Sequence, residues 1–452
     1  MPGFYDIAYS IGLAVSAPVW LIRGRSRQKV LGALRTRMGN DLPPLPTGGD
    51  KTVLIHAVSV GEINATKALV EQLSAARPGL RFVVTVTTQT GYERGQQLYG
   101  NDPRVALARY PLDFSKAIDR LLDAYQPALI ILMELEVWPN FVKRATQRGV
   151  KIMLANGRIT EPSFRGYRRL PFVSRPMFRR LSAVCAQDDI YADRFAMLGV
   201  PDDRLHVLGT MKFDNAAVAD FIPGASALAN EVGLRPGIEP IWVCGSTGPG
   251  EEEIVLRVYR NLLKRFPRLR CVIVPRKPER FDEVARLIES ARFVCVRRSA
   301  PALERLDANP AIPPVVLGDT MGELRTFYSI ADVVFVGRSL VDLGPSQWGS
   351  DMIEPAALGK PVIVGPHTGN FSEAMRAFHR ADAILEADDA ESLEQSVRVL
   401  LHTPLEASAM GHRAREVVRA EQGATARHIA LILHLLESET AVPLNVGSVA
   451  AT

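Results

Sequence analysis

At 452 residues the chain exceeds what one hydrophobic core ordinarily fills, so two domains are expected. Its make-up, 47% hydrophobic and 23% charged, is that of an ordinary globular protein rather than a low-complexity or repetitive one. A net charge of +5 and a pI near 9.0 point to a negatively charged partner: a nucleic acid, an anionic membrane or an acidic substrate.

The segment 7–22 is almost uncharged, carries Trp20, and is followed by Arg23, Arg25, Arg27, Lys29, Arg35 and Arg37. It is slightly short for a spanning helix and lacks a small-residue cleavage site. It reads as an uncleaved anchor or a helix dipping into the inner leaflet, with the basic cluster holding the rest at the cytoplasmic face; an apolar helix docked on the protein body is the alternative. After the prolines at 43, 44 and 46 a βα alternation begins. Strands are expected at 52–55, 81–87, 105–108, 128–132, 151–155, 183–186 and 205–208, with helices at 62–76 and 91–98. Most of these strands are short apolar runs without alternation, as in a parallel sheet buried on both faces. Periodicity weakens between 214 and 240, where Pro223, Gly224, Pro236 and Gly237 mark a linker. A second series follows, with strands at 241–244, 271–274, 293–296, 315–317, 333–336 and 361–364, helices at 251–266, 278–290 and 321–330, and a helical segment at 405–436. Two Rossmann-like domains facing one another across a cleft are expected. Cys185, Cys244, Cys271 and Cys295 lie in or beside apolar runs without paired spacing and read as buried reduced thiols.

Three stretches of the first half could carry chemistry. In HAVSVGE at 56–62, Ser59 and Glu62 have the spacing of a capping box, which satisfies helix N–H groups without catalysis. A carboxylate at a cleft mouth is also where a general base for an incoming hydroxyl would stand. In MELEVWPN at 133–140, Glu134 and Glu136 follow a buried strand among apolar neighbours, a poor solvated face. A carboxylate there could orient a base, stabilise positive charge on a sugar ring, or serve local hydrogen bonding. The run from Asn156 to Arg180 is the densest basic stretch of the folded body. It suits phosphates of an anionic lipid surface or simple solvation, and its aromatic content matches nucleic-acid binding only partly. Lys212, in GTMKFD at 209–214, could contact a departing phosphate or a carboxylate.

In the second half, GSTGPGE at 245–251, VPRKPER at 274–280 and GDTMGE at 318–323 each follow a strand and open a helix. A longer stretch, 337–370, brings together two strand ends and two helix starts. Ligands of parallel sheets bind outside the strands' carboxyl ends, and helix N-termini offer N–H groups to phosphate oxygens. A phosphate-bearing ligand is therefore expected, while the absence of a Walker motif and of GxGxxG disfavours ATP hydrolysis and NAD chemistry.

With HAVSVGE, MELEVWPN, MKFD at 211–214, VPRKPERF at 274–281, GDTMGEL at 318–324 and EPAALGKPVIVGPHTGNF at 354–371 in this order, the chain resembles the 3-deoxy-D-manno-octulosonic acid (Kdo) transferases of lipopolysaccharide assembly, from the N-terminus to roughly residue 435. The resemblance implies an inverting, metal-independent α/β glycosyltransferase of the GT-B kind, with an N-terminal membrane-associated helix, at the cytoplasmic face of the inner membrane. It implies no cofactor, CMP-Kdo as donor, a lipid A precursor as acceptor, inner-membrane lipid as a further partner, and no nucleic acid. By the same resemblance Glu62 is the catalytic base, Glu134 and Lys212 stabilise the transition state, and Pro275, Arg276, Met321, Gly322, Glu323, Asp351, Met352, Ile353 and Glu354 contact CMP. The expected division is an anchor with its basic segment (1–40), an acceptor domain (41–215), a linker (216–240), a CMP-sugar domain (241–440) and a tail (441–452). The chain departs from the family where a GGHNPLE run is replaced by the longer GPSQWGSDMIE at 344–354, an STHEG turn by STGPG at 246–250, and the histidine of PRHP by Lys277. A related transferase with another acidic nucleotide sugar or acceptor lipid, or a non-catalytic nucleotide-sugar-binding membrane protein, are the alternative readings.

Overall fold

The computed structural model describes residues 3, 5–7, 9–11, 37–300, 312–344 and 347–438. Most of the expected membrane helix at 7–22, nearly all of its basic segment, and the tail at 441–452 lie outside the described residues. Among the described residues no helix is long and apolar enough to cross a membrane.

The chain forms two compact units, Met1–Asn215 with Gly423–Thr452, and Ala216–Gln422. In the first, seven strands form one parallel sheet: β1 (Lys51–Ala57), β2 (Leu80–Val86), β3 (Val105–Arg109), β4 (Leu129–Met133), β5 (Lys151–Gly157), β6 (Ala183–Ala186) and β7 (Leu205–Val207), in the order β3-β2-β1-β4-β5-β6-β7. The unbroken apolar runs reflect burial of both faces. Ile131 and Met133 point into one core with Val53 and Ile55, whereas Ile130 and Leu132 point into another with Leu54. The helix Val60–Ala76 buries Ile63, Thr66, Val70 and Leu73, a three-and-four spacing that presents one stripe to the sheet. It stops at Arg77, which the following Pro78 holds in extended conformation.

The second unit carries another all-parallel sheet of seven strands: β8 (Ile241–Thr247), β9 (Arg270–Pro275), β10 (Cys295–Arg297), β11 (Val315–Leu317), β12 (Val333–Val336), β13 (Val362–Val364) and β14 (Leu385–Glu386), in the order β10-β11-β9-β8-β12-β13-β14. The two-residue β14 is too short to leave a pattern in the sequence. The first sheet's order reverses between β1 and β4 and the second's between β8 and β12, the second also having β11 inserted between β9 and β10. These reversals are the topological switch points, where successive crossovers diverge and leave a crevice at the carboxyl ends of the strands.

The domain limits differ from those expected. The stretch 216–240 carries the helix Ala225–Glu231, which buries Ala225, Leu228 and Ala229, and it packs within the second unit. The closing segment is two helices, Pro404–Glu421 and Ala424–Glu437, parted at Gly423, whose φ of +91° breaks the spiral. The last helix belongs to the first unit, not the second: Ile429, Leu431, Ile432, Leu435 and Leu436 enter the core around Val53 and Ile55. All four cysteines are free thiols, three of them buried and Cys295 half-buried.

Candidate active site

The first unit gathers its carboxylates at the β1/β4 switch point. Glu62 stands in the first turn of the helix that follows β1, and Glu134 is the first residue after β4, two strands that pair directly. Glu62 completes the capping box: Glu62 Oε2 accepts the Val58 N–H at 2.8 Å, and Oε1 accepts the Ser59 hydroxyl at 2.8 Å and the Ser59 N–H at 3.3 Å. The side chain is only 8% exposed. Burial raises its pKa to about 7, and the nearby Glu134 charge pushes the same way, against the lowering effect of the hydrogen bonds from Val58 and Ser59. The capping and general-base readings thus describe the same carboxylate, held in one rotamer and poised to exchange a proton near neutrality.

Glu134 has φ +53°, a left-handed conformation that costs a non-glycine residue roughly 1 kcal/mol. Backbone bonds from Glu134 N–H to Ala155 O (2.9 Å) and from Arg158 N–H to Glu134 O (3.3 Å) hold that geometry against β5. Local hydrogen bonding falls instead to Glu136, whose Oε2 accepts the Trp138 indole N–H at 3.1 Å. Burial raises the Glu136 pKa, so 133–140 is no solvated face. His56 is a core residue. Its ring stacks on Tyr110 at 3.9 Å, Nδ1 lies 3.0 Å from the Thr85 hydroxyl, and burial holds its pKa down at about 3.

Lys212 lies in the loop after β7, at the sheet edge, yet the loop returns toward the centre. The Met211 N–H donates to Asn156 Oδ1 at 3.1 Å, at the carboxyl end of β5, next to β4. Asn156, at φ +53°, is clamped in turn: its N–H donates to His428 Nε2 (3.0 Å) and its carbonyl accepts from Gln187 Nε2 (3.0 Å). His428 Nδ1 lies 2.7 Å from Ala424 O and so carries the ring proton, leaving Nε2 as the acceptor. Burial holds the His428 pKa at about 4, so this neutral form persists at neutral pH.

In the second unit the expected nucleotide-contact residues occupy two strand ends and one helix start. Pro275 closes β9 and is buried, with Arg276 exposed beyond it. Met321 and Gly322 follow β11; Met321 is 69% exposed, and the Glu323 carboxylate is bound by Arg298 at 3.0 and 3.1 Å. Asp351 to Glu354 opens the helix Ile353–Ala357. The side chains of Met352 and Ile353 are fully buried in the core, so those two residues can offer a ligand only backbone atoms. Asp351 and Glu354 come close together: burial, and then the Asp351 charge, raise the Glu354 pKa, with Arg325 opposing. Among the described residues no group of three His, Cys, Asp or Glu side chains could hold a metal ion.

The family model described as 3-deoxy-D-manno-octulosonic-acid transferase matches residues 31–215, and that of glycosyl transferases group 1 matches residues 315–417. A 3-deoxy-D-manno-octulosonic acid transferase of Haemophilus influenzae is 36% identical over 400 residues, covering 88% of this chain and 90% of its own. This chain belongs to the Kdo transferase family. A Bordetella pertussis transferase of the same description is 34% identical over 93% of this chain and 96% of its own. The crystal structure of a glycosyltransferase from Rickettsia africae, 14% identical, covers 86% of this chain and 99% of its own with a TM-score of 0.58, a likeness of fold.

In this Kdo transferase several residues that shape the loops at the strand ends stand out only in the folded chain. Asn156 opens the basic run of the sequence, and its Asn-Gly pair at a strand end is the signal of a left-handed turn. Glu251 marks no more than a helix start in the sequence. It is completely buried and accepts backbone N–H bonds from Gly248 (2.8 Å), Arg338 (2.6 Å), Ser339 (2.9 Å) and Leu340 (2.9 Å), tying the loops after β8 and β12 together across the switch point. Seven described non-glycine residues have positive φ, and four of them, Glu134, Asn156, Ser246 and Arg338, lie at carboxyl ends of strands. Strain of this kind collects where a fold is constrained by function.

Proposed function

We propose that this Kdo transferase is an inverting enzyme of the GT-B kind that moves Kdo from CMP-Kdo to a lipid A precursor in lipopolysaccharide biosynthesis, with Glu62 as the general base. The observation that carries the proposal is the buried Glu62 carboxylate at the β1/β4 switch point, with a pKa near 7 and two oxygens held in place. In the reaction Glu62 takes the proton of an acceptor hydroxyl as that oxygen attacks the anomeric carbon of Kdo. The bond from that carbon to the phosphate oxygen breaks, and its electron pair leaves on CMP. Glu134 supplies negative charge beside the base, suited to the positive charge that develops on the sugar ring. Lys212 supplies a cation for the departing phosphate or for a carboxylate.

On the donor side, Arg276 and the backbone N–H groups at the strand ends of the second sheet meet the nucleotide phosphate. Asp351 and Glu354, both acceptors when ionised, suit hydroxyl and amino groups of the nucleoside or sugar. A lipid acceptor places the enzyme at the membrane surface, and we assign it to the cytoplasmic face of the inner membrane. The exposed Leu170 and Phe172, set among Arg168, Arg169 and Arg175, agree with such a surface.

The test is Glu62→Gln, which keeps the side-chain volume. Transfer of Kdo from CMP-Kdo to a lipid A precursor, followed by mass spectrometry of the lipid product, is expected to fall about 10³-fold while CMP binding stays within twofold. Turnover equal to that of the unsubstituted enzyme would refute the assignment.

A further inference from the structure

We propose that Arg338 is a second phosphate-binding arginine of the donor site, paired with Arg276 across the β8/β12 switch point, and that it favours nucleotides carrying a phosphate over the bare nucleoside. This rests on the donor reading above.

Five observations carry it. Arg338 is the second residue beyond β12, where the loops after β8 and β12 diverge and a parallel sheet opens its ligand crevice. Its φ is +56°, a conformation that glycine adopts freely and an arginine adopts at a cost. The fold sustains that cost by pinning the backbone on both sides: the Arg338 N–H donates to Glu251 at 2.6 Å, and the Arg338 carbonyl accepts the Gly349 N–H at 2.7 Å.

Among the described residues the guanidinium itself has no anionic partner. Arg338 is half-buried, its Nε makes no hydrogen bond although it is shielded from solvent, and no ion pair to it occurs among the described residues. The carboxylate nearest in the chain's own fold, Glu251, already accepts four backbone N–H bonds.

Another cation acts on this guanidinium. Burial lowers the Arg338 pKa, Arg276 lowers it further, and Glu251 only partly opposes them. Arg276 follows β9, its backbone N–H bonded to Thr247 O at 3.0 Å, and β9 and β12 pair with β8 on its two sides, so the two arginines flank the end of β8. Two like charges drawn together without a counter-ion are a receptor for an anion, and a phosphate accepts two arginines through separate oxygens.

Finally, the neighbouring loop makes room for this side chain. A Cβ added at Gly248 would stand 3.0 Å from Arg338 Cγ and 2.7 Å from Leu343 Cδ1. A bulky side chain at 248 would press on both Leu343 and the Arg338 stem.

Calorimetric titration of the full chain with CMP and, separately, with cytidine tests the assignment. Arg338→Gly is expected to weaken CMP about tenfold, the worth of one charge-assisted hydrogen bond, and to leave cytidine affinity within twofold. Because glycine accepts φ +56° more readily, its thermal midpoint should be no lower than that of the unsubstituted protein. Gly248→Val, which leaves the guanidinium in the chain but pushes it aside, should reproduce the selective loss. Undiminished CMP affinity in Arg338→Gly, or an equal loss for CMP and cytidine, would overturn the inference and leave the donor reading standing. An unsubstituted protein that fails to prefer CMP over cytidine would overturn both.

Discussion

Glu62 is held between forces of opposite sign. Burial and the Glu134 charge favour its protonated form, while the Val58 and Ser59 donors favour the carboxylate. Because the pKa in the fold lies above the ordinary glutamate value, ionisation costs folding free energy, and that cost appears as pH rises from about 4.5 through 7. The same displacement places the base at half-ionisation near neutral pH, so kcat/KM should rise with pH along a limb centred near 7. Glu134→Gln removes the larger of the two charges, Glu134 and Glu136, that raise the Glu62 pKa. Its limb should therefore move to lower pH, with maximal activity reduced at least tenfold by loss of the stabilising charge. A pH–rate profile of both enzymes checks this; an unmoved limb would mean that Glu134 does not act on Glu62. At this scale the sequence was legible where a residue's chemistry matches its place. Glu62 and Glu134 are carboxylates beside the ends of obvious strands. Arg338 was not legible, because its role depends on a backbone angle and on a neighbour, Arg276, that is distant in the chain.

At the scale of elements, the strands and helices were legible because burial on both faces demands continuous apolar runs, as in the fully buried LIILM of β4. The loops were less so, because the hydrogen bonds that shape them come from elsewhere. Glu251 fixes two loops separated by almost ninety residues, and nothing local to its sequence distinguishes it from the adjacent Glu252. The latter is likewise buried, but is paired with Arg280 at 2.6 Å and Thr247 at 2.8 Å. Glu251→Ala leaves four N–H groups without their acceptor. It should lower the unfolding free energy by about 3–5 kcal/mol, since bonds to a charged acceptor are worth more than neutral ones and the orphaned donors remain partly buried. Chemical denaturation measures the loss, and a change below about 1 kcal/mol would show that water replaces the carboxylate without penalty.

At the scale of the whole molecule, the chain crosses to the second unit after Asn215 and returns at Gly423. The return is fixed at both ends. The Asp214 carboxylate accepts the Gly423 N–H at 2.7 Å and the Thr425 N–H at 2.5 Å, capping the last helix, while Lys51 and Lys151 donate to the carbonyls of Leu436 and Leu435 at its far end. Between them, five apolar side chains enter the core, each worth roughly 1.5–3 kcal/mol, so together they rival the entire stability of an ordinary domain. A chain ending at Gln422 should therefore have an unfolded or molten first unit, read as rapid proteolysis confined to residues before 216. Because His428 holds Asn156, and Asn156 holds the Lys212 loop, such a chain should also lack transfer activity.

The sequence by itself determined the fold class, the presence of two βα series, the family, and the carboxylates beside the first sheet's switch point. These follow from hydrophobic pattern and from side-chain chemistry at strand ends, both of which are local. Tertiary structure alone decided that the last helix belongs to the first unit, that Met352 and Ile353 turn their side chains into the core, and that Glu251, Asn156 and Arg338 shape the sites. Each of those depends on contacts between segments far apart in the chain, and amphipathic spacing shows that a helix has an apolar face without showing which core receives it.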